Sequence, residues 1–341
     1  MPRERKPARL AELPRPSVEI IEVEVKPKII PVVQLDDEPQ PEVKVELASE
    51  HTWTPQKGGK FTIADFEIGR ELGKGAFGVV YLARTKIGHF ICAIKMLRKS
   101  QLTKNKSEYL LEREIDIQSH LKHPNVVRLY TYFWDEKNVY LVMEYAPGGE
   151  MFEELYKAKR FPEHLAAKYM YEIADALEYC HGKHVIHRDI KPENLLIGAG
   201  GELKIADFGW SVHSPSDRRR SYCGTKEYLA PEMLLCSYPE EGADHGSSVD
   251  VWACGVLLFE FLSGRSPFER DTDHDTYRDI QHGRYKFPDT IHKGPRDLIE
   301  KLLKVEPKER ISLGEVKKHW WIMAHVEKKT HGLNFRKNEN K

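Results

Sequence analysis

Cysteine is scarce in this 341-residue chain, and the five present (Cys92, Cys180, Cys223, Cys236 and Cys254) form no C-x-x-C pair. An odd count without such pairs reads as thiols kept reduced inside the cell. Most read as small apolar fillers, and only Cys223 lies in a basic stretch that would lower a thiol pKa. Neither sign of charge is in excess, with 53 Lys plus Arg against 53 Asp plus Glu, so no global field argues for nucleic acid or a membrane, and neither partner is expected. Long apolar runs are missing too. The longest, Val251 to Phe259, stops at Glu260, well short of the roughly eighteen residues of a membrane span. No apolar stretch follows Met1-Pro-Arg-Glu-Arg-Lys6, so no secretory signal is expected, and no internal repeat is evident. What is present is globular: 40% hydrophobic and 31% charged residues, at a length that suits one large domain or two small ones.

Proline is unevenly spread. Nine of the twenty lie in the first sixty residues, so 1–60 reads as a disordered, Pro-rich tail. Within it Val18-Glu-Ile-Ile-Glu-Val-Glu-Val25 alternates as a half-buried strand would, but prolines bracket it. A short motif that pairs with another protein stays open there. Residues 61–143 read as strands plus one helix, a small β-rich lobe. Glu144-Tyr-Ala-Pro-Gly-Gly149 reads as a hinge, and 150–326 as a mainly helical lobe with a tail at 327–341. In the larger lobe Leu165 to Tyr179 puts Met170, Ile173 and Leu177 on one face. Val251 to Leu262, apolar nearly all round, is expected to be a fully buried helix.

Two segments carry the chemistry. His187-Arg-Asp-Ile-Lys-Pro-Glu-Asn194 and Asp207-Phe-Gly-Trp-Ser211 place one carboxylate to receive a hydroxyl proton and oxygen ligands to hold Mg²⁺ against phosphates. Asp189 is the candidate base; Asn194 and Asp207 are the candidate metal ligands. Upstream, Gly73-Lys-Gly75-Ala-Phe-Gly78 offers backbone N–H groups that side chains do not screen. Alone, that pattern serves a dinucleotide fingerprint or a turn equally well. Here no helical period follows Gly78, which favours strand-turn-strand. Lys95 ends the apolar run Ile91-Cys-Ala-Ile-Lys95. On the segment Glu108 to Leu121, Glu114 falls within a stripe of Leu110, Ile117 and Leu121. A carboxylate there needs a partner, since an unpaired buried charge is expensive, and Lys95 is the candidate.

In this order the motifs resemble those of protein kinases from about Asp65 to Ile322. The implied fold is α+β and bilobal, with a small β-rich N-lobe and a large mainly helical C-lobe; the implied cofactors are ATP and Mg²⁺. Lys191, two residues past Asp189, and Thr225, five before Ala230-Pro-Glu232, resemble the serine/threonine branch. Asp65-Phe-Glu-Ile-Gly-Arg70, Ile117-Gln-Ser-His-Leu-Lys-His-Pro-Asn125, Trp210 directly after Asp-Phe-Gly and the polar Gln118 look like the Aurora kinases. Thr131 and Glu150 look more like the B-type, chromosomal-passenger branch.

By that resemblance Gly73, Gly75 and Gly78 cover the phosphates, and Lys95, held by Glu114, contacts the α and β groups. Backbone groups of Glu144 and Ala146 hold adenine, with Met143 as gatekeeper. Leu72, Val80 and Ala93 line the apolar slot, though simple core packing explains those three almost as well. Asp189, Lys95 and Lys191 form the catalytic set. Ser221, after Arg218-Arg219-Arg220, is the implied activating phosphosite, with Arg188 and Arg113 to receive the phosphate. Glu150 and Glu193 resemble the carboxylates that bind arginine ahead of a substrate serine. Glu232 with Arg310 resembles a buried anchoring pair, and Asp250 a brace for the catalytic loop. The resemblance further implies protein substrates with arginine before Ser or Thr, and an activating scaffold peptide of the inner-centromere-protein type. It also implies residence in nucleus and cytoplasm, with centromere and spindle-midzone association in mitosis. The chain departs from the pattern at Ser221, where threonine is usual, at Ala230, where proline is usual, and in the longer segment 234–249. Another basophilic kinase near the cyclic-nucleotide-dependent group, or a pseudokinase scaffold, are the competing readings.

Overall fold

β-Branched and aromatic residues fill the runs that pair first. In the computed structural model, which describes residues 61–75, 78–105, 107–213, 226–235 and 246–326, these runs form β1 (Phe66–Lys74), β2 (Gly78–Thr85), β3 (Ile91–Arg98), β4 (Leu129–Trp134) and β5 (Asn138–Met143). Ser221, the arginines before it, Cys223, Thr225, Cys236 and both tails lie outside the described residues.

The chain divides into two compact units. The first, running to Glu108 and again from Leu129 to Tyr145, holds all five strands as one antiparallel sheet in the order β1-β2-β3-β5-β4. One face is a small aromatic core. Phe66 stacks on Phe133 at 5.7 Å between ring centres and Phe133 on Tyr140 at 4.9 Å, with Ile94 and Val142 beside them. The two-residue period of a strand then turns Lys95, neighbour of Ile94, to the opposite face. Asp135 pins the β4–β5 turn: Oδ1 accepts from the Lys137 and Asn138 amides, both at 2.7 Å, and Oδ2 accepts from the Tyr140 hydroxyl at 2.7 Å. α1 (Lys99–Lys104) continues directly from β3, and Leu102 is its buried residue.

The second unit comprises Tyr109–Arg128 and everything from Ala146. Its first helix, α2 (Glu108–Ser119), corrects the expected stripe. Leu111, Ile115, Ile117 and Gln118 are buried whereas Leu110 is only half-buried. The helix also stops before Leu121, because His120 and Leu121 turn off through i→i−3 bonds to Ile117 and Gln118 ahead of Pro124. α3 (Met151–Ala158) and α4 (Glu163–Gly182) follow. Two short ladders come next, pairing β6 (Val185–Ile186) with β9 (Val212–His213) and β7 (Leu195–Ile197) with β8 (Leu203–Ile205). The remaining helices are α5 (Pro231–Leu235), α6 (Ser248–Ser263), α7 (Asp273–Gln281), α8 (Lys293–Leu302) and α9 (Leu313–Lys318), with a last helical stretch at 320–326.

α6 is buried nearly all round, as an apolar helix without a polar face must be. It ends at Gly264, whose φ of 79° and whose position, with an added Cβ only 2.0 Å from the Lys159 carbonyl, admit no side chain. Glu163 at the start of α4 accepts from Trp321 Nε1 at 2.9 Å and pairs with His292 Nδ1 at 2.6 Å. Cys92, Cys180 and Cys254 are buried; burial pushes the first two thiols up to about 12, and Cys254 upward as well. These three are apolar fillers, not nucleophiles.

Candidate active site

In the first unit, register brings the candidate phosphate-binding residues together. Gly73 pairs with Val80, Val80 with Lys95 and Lys95 with Leu141; Ala93 pairs with Leu82 and Met143. Val80, Ala93 and Lys95 therefore share one sheet face. Gly75 N donates to the Gly78 carbonyl at 2.9 Å, closing the turn. Gly78 has a steric reason to be glycine, since a Cβ would stand 2.1 Å from the Met96 carbonyl oxygen. At Gly73 and Gly75 a Cβ would meet nothing within 4 Å among the described residues, so that backbone is bare on that side. Leu72 is half-buried, and Glu144 directly follows β5.

The second unit assembles the rest from short-range spacing. Pro192 opens a single 3-10 turn, Pro192–Asn194, which folds Asn194 back onto Asp189. Asn194 Nδ2 donates to the Asp189 carbonyl at 2.8 Å and to Asp189 Oδ2 at 2.7 Å, while Lys191 Nζ reaches the same Oδ2 at 2.9 Å. With its amide hydrogens turned to Asp189, Asn194 keeps Oδ1 for a cation. Asp207 holds left-handed backbone, φ 58°, and its Oδ1 accepts from Gly209 N at 3.3 Å. Glu114 is buried at 7% exposure, and its Oε2 would lie 3.7 Å from a Cβ at Gly209. Gln118, 2% exposed, donates from Nε2 to the Val127 carbonyl at 3.0 Å.

Asp250 braces this loop from α6. Its Oδ1 accepts from Arg188 N at 2.7 Å, and its Oδ2 accepts from His187 N at 2.9 Å and pairs with His181 Nε2 at 2.8 Å. Burial pushes its carboxyl up, but His181 and these donors outweigh it and hold the group below its ordinary value. His187 in turn packs edge-on against Phe208 at 4.9 Å. Arg188 is itself buried and left-handed, φ 69°. Glu232 and Arg310 form a bidentate pair at 2.6 and 2.7 Å, with the guanidinium side chain 1% exposed.

Glu150 bridges Leu196, and Ala146 is buried with its carbonyl accepting from Gly149 N at 3.2 Å. Glu150 is exposed as a residue, yet partial burial of its carboxyl and then the charges of Glu153 and Glu193 push it upward. Two residues were missed in the sequence. Glu260, noted there only for breaking an apolar run, accepts from the Tyr228 hydroxyl; burial pushes its carboxyl up, the Tyr228 bond opposes this, and Glu193 adds to the rise. A lone carboxylate in an apolar helix was the available signal. His181 gave none, since its partner is 69 residues away.

A model of the protein kinase domain matches residues 66–322. Aurora/IPL1-related protein kinase 2 of Caenorhabditis elegans is 63% identical over 276 residues, 81% of this chain and 88% of that protein. Aurora kinase B of Xenopus tropicalis is 56% identical over 266 residues, 78% of this chain and 72% of that protein. Aurora kinase A-A of Xenopus laevis is 53% identical over 278 residues, 81% and 67% of the two chains.

Proposed function

The chain belongs to the protein kinase family and its Aurora group, and on that premise we propose the part each residue takes in phosphorylating proteins. It is a serine/threonine protein kinase that uses ATP and Mg²⁺. The donor set fits those groups: the oxygens of Asn194 and Asp207 suit a hard cation, and the bare backbone of Gly73 and Gly75 suits phosphate. Bound Mg²⁺ neutralises phosphate charge. Gly78 and Lys95 complete the phosphate contacts, with Glu114 orienting Lys95. Glu144 and Ala146 hold adenine in a slot of Leu72, Val80 and Ala93.

The observation that carries the assignment of the base is the double hold on Asp189 Oδ2 by Asn194 and Lys191. It leaves Oδ1 to receive the proton of a substrate hydroxyl, while Lys191 offsets charge beside it. Asp189→Asn should lower kcat by roughly 10²- to 10⁴-fold with little change in ATP binding. Asp207→Asn should instead weaken Mg²⁺-dependent nucleotide binding. Wild-type turnover in Asp189→Asn would remove the assignment.

Glu150 and Glu193, joined by Glu260, take arginine ahead of the substrate serine; the raised carboxyls of Glu150 and Glu260 support this, since a cation relieves them. Ser221 is the activating phosphosite. Chromosome and spindle association and a mitotic role accord with the Aurora relatives, and the reading adds an activating scaffold peptide of the inner-centromere-protein type.

A further inference from the structure

Away from these residues, the first unit has a cavity of about 520 Å³ whose lining includes Arg98, Lys99, Lys137, Glu136 and Ser100. Three cationic residues and one acidic residue thus share its lining with the exposed Ser100. Lys99 N donates to the Lys137 carbonyl at 2.9 Å, and Asp135 holds the Lys137 turn, so the cations sit on a fixed frame.

The order Arg98-Lys99-Ser100 puts arginine two residues before a serine. We propose that Ser100 is a phosphorylation site used by this kinase on a second copy of itself, and that the cavity holds the resulting phosphate. The inference rests on the arginine specificity given above. Other described matches to that specificity are tied up. Arg310 is buried against Glu232, and Ser312 Oγ bonds Glu315 Oε2 at 2.6 Å. Arg270 pairs with Asp279 at 2.8 Å, and Thr272 caps α7 by accepting from Asp275 N at 3.1 Å. Thr131, three residues after Arg128, is paired with Val142 inside β4. Arg98 and Ser100 are both exposed, and neither has a side-chain hydrogen bond or ion pair among the described residues.

A kinase takes its acceptor in extended form, and α1 can supply it. At six residues, with Leu102 as its buried residue, α1 is far below the roughly 12–15 residues at which isolated helices hold. Its first turn therefore opens locally once the Lys99 N bond to the Lys137 carbonyl is released, with Arg98 still at the end of β3 opposite Asn138. In the transfer, Ser100 Oγ forms a bond to the γ-phosphorus of ATP held by the other copy. The bond from that phosphorus to the bridging oxygen breaks, ADP leaves with the electron pair, and the hydroxyl proton goes to Asp189 of the acting copy. The phosphate, with close to two negative charges, then closes on Arg98, Lys99 and Lys137 through charge-assisted bonds, fastening α1 to the β4–β5 turn.

The test uses full-length Asp189→Asn chain as substrate for wild-type kinase with ATP and Mg²⁺, with site-localised mass spectrometry as the readout. Phosphate should appear on Ser100 and fall at least tenfold when the substrate also carries Arg98→Ala. An unmodified Ser100, or one indifferent to Arg98→Ala, overturns the proposal if an arginine-bearing peptide is still preferred in the same reaction. Loss of that peptide preference overturns the specificity reading instead. A phosphatase should strip phospho-Ser100 several-fold faster from Lys137→Ala than from the unchanged chain; equal rates remove the cradle.

Discussion

Asn194 gives its side-chain amide to two oxygens of one residue, the carbonyl and the carboxylate of Asp189, at 2.8 and 2.7 Å. Orientation of the proposed base and orientation of the proposed metal ligand are therefore a single property of the 192–194 turn. Asn194→Ala should raise the Mg²⁺ concentration for half-maximal activity and lower kcat together, since both roles go at once. Asn194→Asp places like charges against each other and should cost at least as much. A Mg²⁺ titration is the check, and an unchanged midpoint in both variants would refute the coupling.

Glu150 supplies a pH prediction. Its carboxyl lies above its ordinary value, through partial burial and then Glu153 and Glu193, so it gains a proton earlier on acidification than a free glutamate does. Bound arginine favours the ionised form. KM for arginine-bearing peptides should thus rise as pH falls below neutrality, with arginine-free peptides much less affected. Glu150→Gln should flatten that rise and lower kcat/KM for arginine peptides roughly ten- to a hundredfold at neutral pH, the loss of one charged hydrogen bond. Equal pH profiles for both peptide types would contradict it.

Asp250 supplies a stability prediction. Its folded-state carboxyl is held below the ordinary value by His181, His187 and Arg188 despite complete burial. The stability from that depression is present at neutral pH and is lost as pH falls through and below the ordinary carboxylate range. Asp250→Ala strands the His187 and Arg188 amides at about 1–3 kcal/mol each, so thermal unfolding at pH 7 should come several degrees lower. The gap between variant and wild type should narrow in acid. A constant gap would show that packing, not charge, accounts for the loss.

Gln118 tests the proposed activating partner. Its amide ties α2 to the Val127 carbonyl, where an apolar side chain would add burial instead. Gln118→Leu exchanges that bond for apolar contact, leaving the Val127 carbonyl unpaired at about 1–3 kcal/mol. Net stability should change little, while activity without a scaffold peptide rises and converges with wild type once the peptide is added. The same activity ratio with and without peptide would count against a partner acting through α2.

Legibility followed sequence distance. The α+β kinase fold was readable because Gly73 to Gly78, Lys95, the 187–194 segment and Asp207 stand in order, and α6 was readable from apolarity on every side. Asp189, Lys191 and Asn194 come together for the same reason: five residues and one proline turn suffice. What stayed hidden was long-range or set by geometry. His181 meets Asp250 across 69 residues and Tyr228 meets Glu260 across 32, and no local period announces either. The end of α2 was misjudged because Leu121 is buried after the helix has stopped, in a turn toward Pro124.

The bond from Trp321 to Glu163 spans 158 residues and ties the last described helical stretch to the first turn of α4. On a ribosome moving at about 5–20 residues per second, α4 emerges roughly 8–30 s before the indole that completes its N-terminal turn. Throughout that interval α4 is present without this closing tie, while α6 and α8 are still being added. A nascent chain halted between Asp207 and Trp321 keeps every residue of the 187–207 segments and still presents Glu163 without its indole partner. The 187–207 segments are thus made before the residue that fastens the unit carrying them.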